Sequence, residues 1–186
     1  MVILGIDPGL INTGYGLIQI SGKNNLEAVD FGIISPNKKE KLSNRLKTIY
    51  DDLSLIIKKY SPNILSIEEV FFGKNVKSAL LLGHARGVSM LCASNNNIPV
   101  FEYSPRKIKQ SITGNGNADK SQVKFMVSRE LNLKNMDFPD DASDALAIAI
   151  SAQQIGYDNL SCDLPEENNS LNIAIAKALL KEKNNS

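Results

Sequence analysis

With 186 residues, the chain suits one domain around a single core, and two full domains are not expected. Hydrophobic residues make up 42% and charged residues 22%, a globular balance that excludes disordered and fibrous classes. The formal net charge is +1, so any nucleic-acid footprint must be local. The 2 cysteines, Cys92 and Cys162, form no CxxC and no His/Cys cluster. That usage fits a reducing cytosol and excludes a zinc knuckle or a disulfide scaffold. The opening MVILGIDPG has no basic leader and its apolar run breaks early, so no signal peptide is expected. No apolar run approaches the roughly 20 residues that span a membrane. A soluble, cytoplasmic, single-domain protein is expected.

Val2–Ile6 is a continuous apolar run of the kind buried on both faces of a sheet. Gly9, Asn12 and Gly14 punctuate a turn, Tyr15–Ile20 resumes as a second strand, and a turn at Gly22–Asn25 leads to a third over Leu26–Ser35. These three predict an antiparallel meander. Leu42, Leu46, Ile49, Leu53, Ile56 and Ile57 then recur at helical spacing, with Tyr60-Ser61-Pro62 as the stop. Asn63–Ile67 is a fourth strand, Asn75–Asn95 a helix and Ile98–Tyr103 a fifth strand. Shorter helices are expected over Pro105–Ile112 and Lys120–Leu131, the second with Asp119 as N-cap and Gln122 completing a capping box. A last helix starts at Asp140 or Asp141, after Pro139, and runs to about Gln154. The meander followed by alternating helices and strands predicts a mixed five-stranded α/β sheet covered by helices, within residues 1–157. Residues 158–186 turn to Asp, Glu, Asn and Ser around one amphipathic stretch, Leu171–Leu180, and are expected to form a mobile or loosely docked, partly helical tail.

Four carboxylates stand in apolar surroundings. Asp7 closes the first strand, where it suits a turn, the phosphate loop of an ATP-binding fold, or a metal site. Glu68 closes the fourth strand in ILSIEEVFF, and Asp141 and Asp144 lie three apart in DDASDALAIAI. Strand alternation prevents Glu68 and Glu69 from joining one cluster. Asp141 and Asp144 share a helix face, whereas Asp140, next to Pro139, suits a helix-terminal role. Carboxylates packed together repel, and divalent cations remove that repulsion. Mg²⁺ accepts a few carboxylates and fills its remaining positions with water and phosphate oxygens. Two such ions roughly 3.5–4 Å apart can activate water and stabilise a leaving oxygen in phosphodiester cleavage.

Five blocks in order, ILGIDPGLINTGYG, IEEVFFGKN, LLLGHARGV, FEYSPRKIKQSITGNGNADKSQV and DDASDALAIAI, resemble the RuvC family of bacterial Holliday junction resolvases over about residues 1–155. The resemblance implies a ribonuclease H-like fold and a homodimer that nicks two opposing strands of a four-way DNA junction with Mg²⁺ or Mn²⁺. It places the family's catalytic and metal-binding carboxylates on Asp7, Glu68, Asp141 and Asp144. Some relatives carry histidine at the Asp141 position. It also implies docking with the branch-migration proteins RuvA and RuvB.

From Ser104 to Arg129 the cations Arg106, Lys107, Lys109, Lys120, Lys124 and Arg129 face only Asp119, a local excess beside the acidic residues that would offset their repulsion of DNA phosphates. By resemblance Lys109 and Lys120 contact DNA, with Arg106 and Lys107 as helpers, and Phe71 lies near the junction crossover. Loop aromatics can stack on unpaired bases for roughly 1–3 kcal/mol each. Phe72 is expected to pack, and Asn75 and Lys77 to open a helix that could hold a phosphate. His84, the only histidine, is left outside the site. Leu80, Gly83 and Gly87 suit either core packing or a close helix approach across a dimer. The glycines after Asp7 are expected to shape the hairpin and keep space open beside the scissile phosphate. Two rivals remain open at this level. One is an actin or sugar-kinase type of ATP-binding fold, which normally needs a second Asp-x-Gly loop and a second domain. The other is a non-catalytic nucleic-acid-binding module of the same ribonuclease H-like fold.

Overall fold

The computed structural model describes residues 1–21, 25–69, 76–133 and 138–156. Phe71, Phe72, Asn75, Cys162 and the tail from residue 158 lie outside the described residues. The elements run β1 (Val2–Asp7), β2 (Thr13–Ser21), β3 (Asn25–Ile34), α1 (Leu42–Tyr60), β4 (Ile64–Glu68), α2 (Val76–Asn95), β5 (Val100–Tyr103), α3 (Pro105–Thr113), α4 (Lys120–Glu130) and α5 (Asp140–Ile155). The strands lie in the order β3-β2-β1-β4-β5. The meander β1–β3 is antiparallel, while β4 runs parallel to β1 and β5 parallel to β4. This is the mixed five-stranded sheet that the element order predicts.

Period-two alternation divides the core between the two faces of the sheet. Leu4, Ile6, Leu65 and Ile67 pack with Ile49, Leu53 and Ile57 of α1 and Ala85 and Cys92 of α2. Ile3 and Ile64 face the other way, into a second layer with Ile108, Val123, Val127, Leu146 and Ile150 of α3, α4 and α5. The helix stops follow local chemistry. Ser61 adopts a left-handed φ of 46° and donates its N–H to the Ile57 carbonyl before Pro62 ends α1. Asp119 and Gln122 form the expected reciprocal capping box of α4. β5 starts at Val100, later than expected, because the Ile98 N–H closes back on the Ala93 carbonyl at the end of α2. β2 starts earlier, at Thr13, because pairing continues through Thr13 with Ile34 and Gly14 with Asp7.

Helix α5 sits against the sheet backbone to backbone. A Cβ on Gly5 would fall 2.1 Å from the Ala145 carbonyl oxygen, one on Gly14 2.0 Å from the Asp141 carbonyl oxygen, and one on Gly16 2.8 Å from Leu146. Small residues on the helix side, Ala142, Ala145 and Ala149, complete the close approach. The expectation that these glycines keep space open beside the substrate is therefore corrected. The space beside Gly14 and Gly16 is filled by α5, and a Cβ on Gly9 would fall 2.1 Å from the Asn12 carbonyl oxygen within the turn. What the glycines do is seat the helix that carries Asp141 and Asp144.

Candidate active site at the ends of β1, β4 and α5

Asp7 shares its strand face with Ile3 and Gly5, the face covered by α5. Glu68 shares a face with Ile64 and Ser66, and the Ser66 hydroxyl donates to the Ile148 carbonyl of α5 at 3.1 Å. β1 and β4 are adjacent and parallel, so both carboxylates emerge at the same end of the sheet. The close seat of the Asp141 carbonyl against Gly14 brings the first turns of α5 to that end as well. Glu69 follows the end of β4, its N–H bonded to the Tyr103 carbonyl, and its charge does not figure among those that shift Asp7 or Glu68. Asp140 turns outward, paired with Lys124 at 2.7 Å.

The charges of the four interact. Burial raises the Asp7 pKa, and the nearby Asp144, Glu68 and Asp141 raise it further, to about 7, with Lys120 opposing. Burial also pushes Glu68 upward, assisted by Asp144 and opposed by Lys120 and Lys109. The Lys120 ammonium donates to Asp144 Oδ2 at 2.8 Å, and that bond holds its own pKa above the usual lysine range. Among the described residues no three acidic, histidine or cysteine side chains are gathered into a group that could hold a metal ion. Lys120 and Asn12 instead hold the two helix carboxylates. The donor set, all oxygen and electrostatically opposed around a half-buried Asp7, fits a hard divalent cation.

Three residues make contacts around the carboxylates that have no mark in the local sequence. Asn12, expected only as a turn residue, donates from Nδ2 to Asp141 Oδ2 at 2.9 Å. Lys124 donates to both the Phe138 carbonyl and Asp140, at 2.9 and 2.7 Å, bracing the start of α5. Arg86 of α2 donates from Nε to the Glu68 carbonyl at 3.1 Å and pairs with Glu102 of β5. It thereby ties the end of the Glu68 strand to its neighbour. Arg86→Ala is expected to cost about 1–2 kcal/mol in urea denaturation, and an unchanged midpoint would refute a bracing role.

The candidate DNA contacts lie on α3 and α4. Lys109 is near enough to draw the Glu68 pKa down, and Lys120 bridges from the first residue of α4 to Asp144. Lys107 is exposed in the first turn of α3. The Arg106 stem lies over Gly116, where a Cβ would come within 2.7 Å of its Cγ. Phe71 falls outside the described residues, and His84 is exposed on α2.

Known proteins share this architecture. A family model described as Crossover junction endodeoxyribonuclease RuvC matches residues 3–152. A protein of that name from Alkaliphilus oremlandii is 50% identical over 156 residues, which are 84% of this chain and 94% of the relative. Another, from Ruminiclostridium cellulolyticum, is 47% identical over 81% of this chain and 90% of its own. The solved structure of Thermus thermophilus RuvC in complex with a Holliday junction substrate has a TM-score of 0.79 at 30% identity, covering 83% of this chain and 94% of that one. The yeast mitochondrial Holliday junction resolvase Ydc2, at 16% identity and a TM-score of 0.59 over 85% of this chain and 83% of its own, shares the fold. In sequence over most of its length and in its ribonuclease H-like fold, the chain belongs to the RuvC family of crossover junction endodeoxyribonucleases.

Proposed function

We propose that the chain resolves four-way DNA junctions in recombination and repair, cutting two opposing strands with divalent metal as the cofactor. The observation that carries this reading, beside family membership, is the half-buried Asp7 with its charge opposed by Glu68, Asp141 and Asp144. Those four side chains would hold two Mg²⁺ ions, with Mn²⁺ able to substitute. When bound, such ions lower the pKa of a water nucleophile and stabilise the leaving oxygen of a phosphodiester. The chain's own residues bind and orient. Lys109 and Lys120, with Arg106 and Lys107, would neutralise phosphates beside the acidic end of the sheet, and Phe71 would stack on a base at the crossover.

The working unit in this reading is a cytoplasmic homodimer, which makes paired cuts possible, and it docks with RuvA and RuvB. No helix of the described residues is long and apolar enough to cross a membrane. Helix α2 suits the dimer contact, with Leu80 58% exposed and no described residue within 4 Å of a Cβ on Gly83 or Gly87. Residues 1–157 form the nuclease domain and 158–186 an appended tail.

The test incubates the full chain with a synthetic four-way junction, a matching linear duplex, and Mg²⁺, Mn²⁺ or EDTA. Symmetrically paired nicks in the junction alone, and only with metal, are expected. Junction binding without cleavage in either metal would instead leave a non-catalytic binding module, and ATP hydrolysis without cleavage an ATP-binding protein.

A further inference from the structure

We infer that Asn12 is a positioning residue for Asp141, a neutral clamp that fixes one carboxylate oxygen and leaves the other directed toward a divalent cation. The inference rests on Asp141 being one of the metal-holding carboxylates proposed above. Its geometry is a short relay across the hairpin. The Ser35 hydroxyl at the end of β3 donates to Asn12 Oδ1 at 3.0 Å, and Asn12 Nδ2 donates to Asp141 Oδ2 at 2.9 Å.

The chemistry fixes the orientation of the amide. An ionised carboxylate only accepts, so the NH₂ end of Asn12 must face Asp141. The opposite end is then an acceptor, and the Ser35 hydroxyl supplies its proton. A flipped amide would set its carbonyl oxygen against the carboxylate, two acceptors with no proton between them.

The loop that carries Asn12 is itself held. Thr13 Oγ1 donates to the Gly9 carbonyl at 2.6 Å and accepts from the Gly9 N–H at 3.3 Å. Arg45 reaches from α1 to the Leu10 carbonyl at 2.5 Å. Gly14 lies directly under the Asp141 carbonyl. Asn12 is thus a donor on a braced turn, placed against the first turn of α5.

Its neutrality matters. Asp144, one helical turn on, is held by the Lys120 ammonium, which offsets its charge as well as orienting it. Asn12 orients Asp141 against repulsion from its acidic neighbours while leaving its full negative charge available. Partners of ligating carboxylates typically change metal affinity by about 10- to 100-fold.

The test measures Mn²⁺ binding to the metal-free full chain by electron paramagnetic resonance of the unbound ion, so no cleavage is needed. Asn12→Ala is expected to weaken binding about tenfold, and Ser35→Ala about two- to threefold. Thermal midpoints and junction affinity in EDTA should stay near wild type. In an Asp141→Ala background, Asn12→Ala should have no further effect on Mn²⁺. If Asp141→Ala weakens binding but Asn12→Ala does not, or if the two losses simply add, the positioning role is overturned while the metal site stands. If Asp141→Ala leaves Mn²⁺ binding unchanged, the ligand assignment fails and the role of Asn12 fails with it.

Discussion

Asp7→Asn is expected to abolish junction cleavage by roughly 10³-fold or more, and at the same time to stabilise the metal-free chain above pH 7. The two effects have one origin. In the folded chain burial and three acidic neighbours hold the Asp7 pKa near 7, against about 3.9 for an unperturbed aspartate. Between these values the folded state keeps a proton that the unfolded state has released. Stability therefore falls as pH rises through that window and levels off above it. Each tenfold difference in proton affinity between the two states is worth about 1.4 kcal/mol. The gap between the two values sets an upper bound of about 4 kcal/mol on the loss at pH 8, and solvent screening at the half-buried Asp7 makes the loss smaller. Burial and Asp144 raise Glu68 as well, with the same sign. Asparagine carries no charge and escapes its share of that loss. Urea denaturation in EDTA at pH 5 and pH 8 should show a steeper decline for wild type than for Asp7→Asn. Millimolar Mg²⁺ should reverse the order at pH 8 by stabilising wild type alone. Parallel pH profiles of the two proteins would refute the electrostatic account.

Asp7 and Glu68 were legible in the sequence because each ends an apolar strand, and alternation alone separates Glu68 from Glu69. Asp141 and Asp144 were legible because helical spacing puts them on one face. Both patterns are local, as are the capping box of α4 and the Ser61-Pro62 stop. The supporting contacts were not legible. Asn12 meets Asp141 across 129 positions of sequence, and Lys120 meets Asp144 across 24. Such pairs exist only once the β1–β2 hairpin and α4 have packed against α5, and no periodicity encodes them. Arg86 sits in a helix that reads as mostly apolar and small, yet its guanidinium reaches the Glu68 carbonyl. Lys120 was expected as a phosphate contact on resemblance. The structure gives it a second partner, so its charge serves the acidic cluster as well as any phosphate nearby.

The glycines show the same limit in another form. Gly-rich spacing after an aspartate suggests a loop that approaches a ligand, whereas here it accommodates a helix. Gly5→Ala and Gly14→Ala are expected to separate the two consequences of that packing. A methyl on Gly5 would sit 2.1 Å from the Ala145 carbonyl oxygen and 2.7 Å from the Ala149 nitrogen, both backbone atoms in mid-helix. Neither can rotate away, so α5 must lift from β1 and open the core around Leu146 and Ile148. The expected loss is about 3 kcal/mol or more, near 10 °C in thermal midpoint for a chain of this size. Gly14 lies at the end of the contact, where a methyl meets the Asp141 carbonyl at 2.0 Å. One helix turn can tilt there with less disturbance of the core, but that turn carries both helix carboxylates. Gly14→Ala should therefore lose more activity than its smaller loss of stability explains. Among the described residues Gly83→Ala on α2 meets nothing within 4 Å, so within one protomer it should be neutral or stabilising by up to about 1 kcal/mol. If Gly5→Ala melts with wild type, α5 does not lie backbone to backbone on the sheet. The positions of Asp141 and Asp144 relative to Asp7 would then need another cause.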